Sequence, residues 1–348
     1  MSLQENRVLV EFDHIPIFQN TLHSSREEAL QCPTGNLRLV ESSNTGLVYN
    51  ELFDPSLMTY ETNYLSAAET SVAYKDHLSI VADIVSRTLG NTGLIEVGCG
   101  QGFFLEALSS KGVEIKGYDP SYKGENRQIE KTYFDPMDAV LSKGLILRHV
   151  LEHIDNPLDF LDKLKGQGVE KSIYIEVPCF DWICEHKSWV DIFYEHVNYF
   201  RLSDFERMFG KIFESGHLFG GQYLYIVADL ASLRVPQFDA DSSVDFPDDF
   251  MTMQQMTHQS SPMVVWGAAS KGVMFAYHMK KMGHHIEAVI DINPLKQGKF
   301  LPSTGVQIQS AQDALAALPL GSSIYVMNER YLNEVKMMTQ NSYNYLSL

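Results

Sequence analysis

Three glycines alternate with other residues in one short segment, where a strand pattern changes into a helix pattern. The segment reads Glu96-Val97-Gly98-Cys99-Gly100-Gln101-Gly102. Glycine is needed where a ligand lies against the backbone, because a Cβ would collide with the ligand or exclude a positive φ. Since the free amides at the start of the following helix can bind acceptor groups, the sequence predicts a small-molecule site here. Its candidate binding residues are Glu96, Gly98, Cys99, Gly100 and Gly102.

The residues around this turn narrow the class of ligand. A dinucleotide-binding turn would need a third glycine at position 103, where this chain has Phe103. An NAD-dependent oxidoreductase is therefore a distant alternative, and the acidic Glu96 favours S-adenosylmethionine. The next predicted strand ends in Asp119 and Pro120. An acid at that strand end accepts hydrogen bonds from ribose hydroxyls in doubly wound folds, so both residues join the predicted cofactor site.

Residues 60–180 resemble a class I S-adenosylmethionine-dependent methyltransferase, with the glycine segment as its first motif. A second match is Leu147-Arg148-His149-Val150-Leu151-Glu152-His153-Ile154, which resembles the fourth-strand segment of that family. The resemblance implies that His149 lies at the methionine end of the cofactor. Tyr60 and Tyr64 are expected to close over the cofactor, with packing as the equal alternative. His153 is interpreted as a helix-capping or packing residue.

Other segments resemble the sugar C-methyltransferases that act on nucleotide-linked 4-keto-deoxysugars. They are residues 16–20, 174–178, 193–200, 266–272 and 291–299. The resemblance covers nearly the whole chain and implies a small-molecule substrate, a nucleotide-sugar, bound by Lys271, Glu176 and Asn198. Lys271 lies in a glycine turn that opens a helix, where an ammonium group and backbone amides could hold a diphosphate. A solvated lysine is the equal alternative.

Methylation at carbon requires a base, because carbon is a poor nucleophile until a proton next to a carbonyl is removed. Histidine supplies a base suited to neutral pH. We therefore expect His196 to be the base, with Glu195 and Tyr194 as its catalytic neighbours. The resulting enolate carbon would attack the sulfonium methyl group in line. A histidine packed in an aromatic core is the competing interpretation of His196.

Two differences from the family pattern bear on metal binding and on the substrate. The relatives carry cysteine pairs that bind a structural zinc ion in the N-terminal module, whereas this chain has Ser42-Ser43-Asn44-Thr45 at one such pair. Zinc needs about four sulfur or imidazole ligands, which Cys32 alone cannot supply, so we predict no metal. Where the family segment reads Tyr-x-Glu-His, this chain has Phe193-Tyr194-Glu195-His196. Phe193 therefore replaces the family's tyrosine and Tyr194 lies one position later, which leaves the substrate's identity open.

The elements that must position these residues alternate between strand and helix. Predicted strands lie at 94–97, 114–118, 145–149 and 172–177, with predicted helices at 103–110 and 157–164. This order predicts a doubly wound, Rossmann-like parallel sheet. Residues 1–60 read as an irregular, strand-poor lead with two short predicted strands, at 37–40 and 47–49. The predicted parts are an N-terminal module of degenerate zinc-binding type (1–60), a cofactor-binding domain (61–232), and a C-terminal α/β domain with its connector (233–348).

Composition excludes several classes of protein. The 348 residues include 44 acidic and 27 basic side chains, a formal net charge of −17, which disfavours nucleic acid as the main partner. The four cysteines are too few for a disulfide framework. No secretory leader pattern or membrane-spanning run is present, so a cytoplasmic location is expected. The pattern does not predict an oligomeric state.

The sequence thus predicts an S-adenosylmethionine-dependent methyltransferase that C-methylates a nucleotide-linked keto-sugar through an enolate. Two alternatives remain open. One is O- or N-methylation of another small molecule, which needs no enolate and would leave turnover after loss of His196. The other is a protein that binds S-adenosylmethionine without turnover.

Overall fold

The computed structural model describes residues 5–58, 71–165, 171–251 and 263–348. Within these residues the strands form three sheets, of four, seven and five strands. The four-stranded sheet is built mainly from the N-terminal segment, the seven-stranded sheet from the middle of the chain, and the five-stranded sheet from the C-terminal part. The α/β fold with a Rossmann-like sheet and a second α/β domain is therefore confirmed.

The N-terminal sheet is antiparallel throughout. Its strands are β1 (Arg7–Pro16), β2 (Thr34–Glu41), β3 (Val48–Asn50) and β9 (Asn198–Tyr199). The two predicted short strands correspond to β2 and β3, but the expectation of an otherwise strand-poor lead is wrong. Strand β1 has ten residues and a partly alternating pattern in which Val10 and Phe12 are buried and Glu11 is exposed. That period is typical of a strand with one face on the core. Since β9 comes from the middle of the chain, this sheet also holds the segment that carries His196.

The turn between β2 and β3 is closed by a hydroxyl group. The Ser42 Oγ accepts hydrogen bonds from the backbone N–H groups of Asn44 and Thr45 at 3.3 and 3.2 Å. Cys32 lies elsewhere, with its Sγ 3.3 Å from the Ser303 Oγ. A serine turn and a distant thiol do not make the sulfur and imidazole donor set that zinc requires, so these residues do not fit a zinc ion.

The central sheet combines a parallel core with an antiparallel edge. Its strands are β4 (Leu94–Val97), β5 (Ile115–Tyr118), β6 (Ile129–Glu130), β7 (Gly144–Arg148), β8 (Ser172–Pro178), β10 (Ile212–Leu218) and β11 (Tyr223–Asp229). They lie in the order β10-β11-β8-β7-β4-β5-β6. Strands β4 to β8 pair in parallel, and β11 and β10 add antiparallel strands beyond β8. The sheet is thus mixed rather than wholly parallel.

Helices allow the parallel strands to be buried on both faces. The described helices are α1 (Arg26–Leu30), α2 (Val72–Leu89), α3 (Phe103–Ser110), α4 (Pro157–Lys165), α5 (Phe180–Glu185), α6 (Leu202–Met208), α7 (Ser270–Lys281), α8 (Ala311–Ala317) and α9 (Leu332–Met338). Neighbouring residues of one strand enter different cores: Leu145 packs in one apolar cluster and Ile146 in another. Continuous apolar strands therefore follow from burial on both sides.

The C-terminal sheet is parallel throughout. Its strands are β12 (Met263–Trp266), β13 (Ile286–Ile290), β14 (Ile308–Gln309), β15 (Ser323–Val326) and β16 (Asn344–Ser347). They lie in the order β14-β13-β12-β15-β16. The helix α7 begins at Ser270, inside the segment 266–272 that was expected to form the glycine turn. Lys271 is consequently in the first turn of that helix.

A shared apolar core joins the three parts of the chain. One cluster contains Ile15 of the N-terminal sheet, Tyr194 of the middle segment and Phe275 of the C-terminal domain. In addition, the Trp189 and Phe275 rings stack with their centroids 6.0 Å apart. Among the described helices, none combines the length and the apolar character that crossing a bilayer requires.

Candidate active site

A cavity of about 660 Å³ lies between the carboxyl ends of the central and C-terminal sheets. From the central sheet it is lined by residues that follow β4, β5 and β7, and from the C-terminal sheet by residues that follow β12, β13 and β15. In open α/β sheets, ligands bind beyond the carboxyl ends of the strands. This cavity is the candidate active site, and two sheet edges contribute to it.

The turn after β4 presents bare backbone to the cavity. Gly98 and Gly100 have φ values of 67° and 57°, which residues with side chains rarely adopt. A Cβ at Gly98 would lie 2.5 Å from the Val150 Cγ2, whereas a Cβ at Gly100 would meet no atom within 4 Å. The space at Gly100 is the room that a ligand lying on this turn needs. Cys99 and Pro120 also line the cavity.

Gly102, predicted to contact the ligand, is not among the described residues that line the cavity. A Cβ at Gly102 would lie 2.4 Å from the Ile129 Cδ1. Gly102 is also the N-cap of α3, with a φ of 84°. The third glycine is therefore required by the packing of β6 against the helix start rather than by a ligand.

Asp119 lines the cavity at the end of β5. Its Oδ2 accepts a hydrogen bond from the Gly100 N–H at 2.8 Å. Its Oδ1 accepts from the backbone N–H and the hydroxyl of Ser121 at 2.8 and 2.6 Å. These bonds hold the carboxylate beside the glycine turn, where an acid recognises ribose in doubly wound folds.

Glu96 places a buried carboxylate in the wall of the same cavity. Its side chain is almost fully buried, and its Oε2 has no hydrogen-bond partner. Burial raises the pKa of Glu96 to about 7, and the nearby Asp119 and Glu176 carboxylates add to the increase, although Arg148 opposes it. A buried, unpartnered carboxylate at a cavity wall fits a ligand that brings a positively charged donor.

A second buried carboxylate, Glu176, is surrounded by donors and does not line the cavity. The Tyr174 hydroxyl donates to its Oε2 at 2.7 Å, and the Arg148 guanidinium donates to its Oε1 at 3.1 Å. The His77 Nε2 lies 2.9 Å from the same Oε1. Although burial opposes ionisation, Arg148 and the histidines hold the pKa of Glu176 well below its usual range. Because protein donors occupy this carboxylate, Glu176 has an internal structural role here, and its predicted binding of substrate is not carried into the proposed site.

His149 links this carboxylate network to the cavity, which it lines. Its Nε2 lies 3.1 Å from a Glu176 oxygen, and its Nδ1 lies 3.5 Å from a Glu152 oxygen. Burial disfavours the charged ring, but the two carboxylates raise the pKa of His149 to about 10. Its φ of 52° is uncommon for a residue with a side chain, and such strain is often found at functional sites. The site thus contains an imidazolium at neutral pH.

His196 lines the cavity as a buried, neutral imidazole. Burial, together with the nearby His153 and His149, holds the pKa of His196 well below its ordinary value, and its Nδ1 has no hydrogen-bond partner. The His153 ring lies edge-on to it with centroids 4.9 Å apart, and the His153 Nδ1 lies 2.7 Å from the Glu195 carbonyl oxygen. His196 therefore lines the cavity with a neutral ring that carries one unpartnered nitrogen.

The three predicted neighbours of His196 turn away from the cavity, and none of them lines it. The Tyr194 hydroxyl accepts a hydrogen bond from the Asp54 N–H at 3.0 Å. The Glu195 Oε1 accepts from the Gln19 N–H at 2.5 Å. The Asn198 amide donates to the Ile154 carbonyl at 2.6 Å. Tyr194 and Glu195, predicted beside the base, thus bind the N-terminal module, and Asn198, predicted to bind substrate, binds the turn after β7.

Lys271 lines the cavity from the C-terminal domain. Its Nζ lies 2.8 Å from an Asp191 Oδ2 and 5.2 Å above the Trp182 ring. Beside it, the Asn20 amide donates to the Ser270 hydroxyl at 3.1 Å. The ammonium is therefore a paired cation that connects the C-terminal domain to the central domain, not the solvated lysine of the alternative interpretation.

The sequence did not predict all of the residues that line the cavity, and one of its predictions concerns residues that the structure does not describe. Tyr60 and Tyr64 are outside the described residues. Glu152 and His153 line the cavity, although His153 was expected only to cap or pack. Their position could have indicated this, because Glu152 and His153 follow the carboxyl end of β7, where ligands bind in open α/β sheets.

Two family models match the chain. A methyltransferase domain matches residues 74–212, and a C-methyltransferase C-terminal domain matches residues 244–340. The first match contains the glycine turn, Asp119 and His196, and the second contains Lys271. No curated protein matches the chain.

Solved structures similar to this chain include three methyltransferases. A SAM-dependent methyltransferase from Archaeoglobus fulgidus is 16% identical over 44% of this chain and 94% of its own, with a TM-score of 0.31. The geranyl diphosphate C-methyltransferase of Streptomyces coelicolor A3(2) is 12% identical over 43% and 75%, with a TM-score of 0.33. The magnesium protoporphyrin IX methyltransferase of Synechocystis PCC 6803 is 14% identical over 45% and 82%, with a TM-score of 0.34.

Proposed function

We propose that this protein, an S-adenosylmethionine-dependent methyltransferase, methylates the carbon next to the ketone of a nucleotide-linked keto-sugar. The observation that carries the proposal is the shared cavity. The bare turn at Gly100 and the neutral imidazole of His196 line the same space. A methyl donor on the turn and a carbon acid beside the imidazole would therefore meet there, as C-methylation requires.

The residues of the central sheet edge fit the cofactor. S-adenosylmethionine supplies an electrophilic methyl group when bound. Asp119 would accept hydrogen bonds from the ribose hydroxyls, and the space at Gly100 would receive the nucleoside. The unpartnered Glu96 oxygen would accept from the ammonium group, while the His149 imidazolium would face the carboxylate group at the methionine end.

His196 would act on the substrate as a general base. Its ring nitrogen takes a proton from the carbon next to the ketone, and the electron pair of the broken C–H bond forms the enolate. Being neutral at pH 7, the imidazole can accept this proton. Positioning of the enolate carbon in line with the methyl group then supplies much of the rate.

The C-terminal domain would hold the nucleotide part of the substrate. Lys271 and Ser270 form the first turn of α7 and line the cavity. Backbone amides at a helix start and a nearby ammonium group suit a diphosphate. Because the Lys271 ammonium already faces Asp191, the diphosphate would compete with that carboxylate.

The proposal is tested by incubating the protein with a panel of nucleotide-linked 4-keto-sugars in deuterated buffer. We expect methyl transfer from labelled S-adenosylmethionine to one of them, and deuterium uptake at the carbon next to the ketone without the cofactor. Methyl transfer to oxygen or nitrogen without deuterium uptake would instead indicate O- or N-methylation. Cofactor binding with neither event on any sugar would indicate a protein without turnover.

The same assay is repeated with EDTA, because carboxylate and imidazole groups such as those near His196 are also common metal donors. The proposed base needs no metal, so deuterium uptake should be unchanged after chelation. Loss of uptake with EDTA, and its recovery with a divalent cation, would contradict metal-free enolisation.

The pKa of Glu96 predicts how cofactor affinity depends on pH. If the ionised carboxylate binds the cofactor's ammonium group, a pKa of about 7 leaves most of the sites protonated at pH 6. Raising the pH from 6 to 7.5 should then lower the Kd for S-adenosylmethionine about eightfold, because the ionised fraction rises by that factor. The Kd is measured by calorimetry. An E96Q variant should lose this dependence, and the same dependence in E96Q would refute the assignment.

A further inference from the structure

Glu152 is a buried carboxylate in the cavity wall that the proposed chemistry has not yet used. Its side chain is almost fully buried, and neither carboxylate oxygen has a hydrogen-bond partner. The backbone around it is fixed: Leu151–His153 form a 3-10 turn, and the Val197 N–H donates to the Glu152 carbonyl at 2.8 Å. A buried carboxylate without hydrogen bonds is costly, and the His149 ring, whose Nδ1 lies 3.5 Å from one of its oxygens, offsets part of that cost.

Ring nitrogens of three histidines, His149, His153 and His196, lie near this carboxylate. One oxygen of Glu152 and one ring nitrogen each of His153 and His196 all lie within 4.8 Å of one another. The His153 Nδ1 is engaged with the Glu195 carbonyl, whereas the His196 Nδ1 has no hydrogen-bond partner. The His149 Nδ1 lies 3.5 Å from a Glu152 oxygen, and the Nε2 of the same ring lies 3.1 Å from a Glu176 oxygen.

The surroundings of His196 otherwise disfavour a positive charge. His149 and His153 face it from the segment after β7, and Phe193 and Tyr199 face it from its own segment, with ring centroids at 4.0 and 6.1 Å. Both of the described histidine neighbours oppose protonation of His196. A base in this place accepts a proton only if an anion offsets the charge that forms.

Resting on the proposed function, we propose that Glu152 is the positioning residue that stabilises the imidazolium of His196 formed when this base removes the substrate proton. The proton moves from the carbon next to the ketone to a His196 ring nitrogen, and the negative charge moves to the enolate. Glu152 changes neither bonds nor protonation, since its carboxylate offsets the new charge through space. An opposite charge within about 4–6 Å favours the charged form of a titratable group.

Glu195, the carboxylate next to His196 in the sequence, does not take this role. It accepts backbone N–H groups of Gln19 and Asn20 in the N-terminal module. It is not among the described residues that line the cavity, whereas Glu152 is. The carboxylate that serves the base therefore comes from the turn after β7, far from His196 in the chain.

The test compares deuterium exchange in E152Q, E152D and the wild type. We expect E152Q to lower kcat for exchange at least tenfold with KM changed less than twofold, because substrate binding does not need the charge. E152D, which keeps the charge but moves it, should lie between E152Q and the wild type. An exposed acid nearby, Asp155, gives the control variant D155N, which should behave as the wild type.

Several outcomes would overturn the proposal. One is a kcat for deuterium exchange in E152Q within twofold of the wild type. Another is a kcat for E152D as low as that of E152Q, and a third is an E152Q variant in which KM changes but kcat does not. Should E152Q fail to fold, the charge is removed with E152A instead, and a kcat for E152A within twofold of the wild type would overturn the proposal as well.

A second measurement separates this proposal from the proposed function. In the free protein labelled at histidine, NMR titration should show His196 protonating at least one pH unit lower in E152Q than in the wild type, a tenfold weaker base. The H196Q spectrum assigns the signal. If no keto-sugar exchanges deuterium, the proposed function fails while this titration still decides the pairing. His196 protonating at the same or a higher pH in E152Q would overturn it.

Discussion

Replacing His196 with glutamine is expected to lower the rate of substrate deuterium exchange about 10²–10⁴-fold, the usual contribution of a general base. Glutamine keeps much of the volume and polarity of the imidazole but cannot take the proton. Methyl transfer should fall in parallel, because the carbon cannot attack before it becomes an enolate. The measurement is mass-spectrometric deuterium uptake with the keto-sugar that the panel identifies.

The controls for His196→Gln separate chemistry from folding. Affinity for S-adenosylmethionine should remain within about threefold, because His196 acts on the substrate rather than on the cofactor. The variant His285→Gln, at a highly exposed position, should exchange deuterium as the wild type does. Substantial methyl transfer in His196→Gln would exclude the enolate route and favour O- or N-methylation.

Replacing Arg148 with methionine is expected to lower the free energy of unfolding by about 3–5 kcal/mol, as when one partner of a buried ion pair is removed. The Arg148 guanidinium donates to both oxygens of the fully buried Glu176, at 3.4 and 3.1 Å. It also lies 4.5 Å above the Phe104 ring. Without the guanidinium, the Glu176 carboxylate loses its strongest counter-charge in a place that water does not reach.

The effect of Arg148→Met is measured by denaturant unfolding followed by circular dichroism. A double-mutant cycle with Glu176→Gln isolates the pair, since the double variant removes both charges. We expect the double variant to be more stable than Arg148→Met alone. A loss below about 1 kcal/mol in the single variant, or strict additivity of the two changes, would show that the pair is not the stabilising interaction.

Much of the central fold could be predicted because its signals are local. The glycine turn needs positive φ at Gly98 and Gly100, and α3 begins and ends at the predicted residues Phe103 and Ser110. Continuous apolar runs predicted the strands β4 and β7, because both faces of this sheet are covered. Asp119 was likewise placed correctly at a strand end. Each of these signals depends only on residues close together in the sequence.

Other features depended on contacts that no local pattern contains. The strand β1 was missed because its alternation is interrupted by bulges opposite β2. Glu195 was chosen because it adjoins His196 in the sequence, yet its carboxylate binds the N-terminal module. Glu176 carries the type of group that binds substrates, but its donors occupy it inside the sheet.

By itself, the sequence determined the α/β class and the glycine turn after β4, and it predicted that His196 is a base. Only the tertiary structure shows that Glu152, and not Glu195, lines the same cavity as that histidine, and that two sheet edges share this cavity. The physical reason is the separation along the chain of the residues that determine each feature. Backbone conformation and strand burial are set by neighbours along the chain, whereas the partner of a buried charge is set by whichever segment folding brings within a few ångströms.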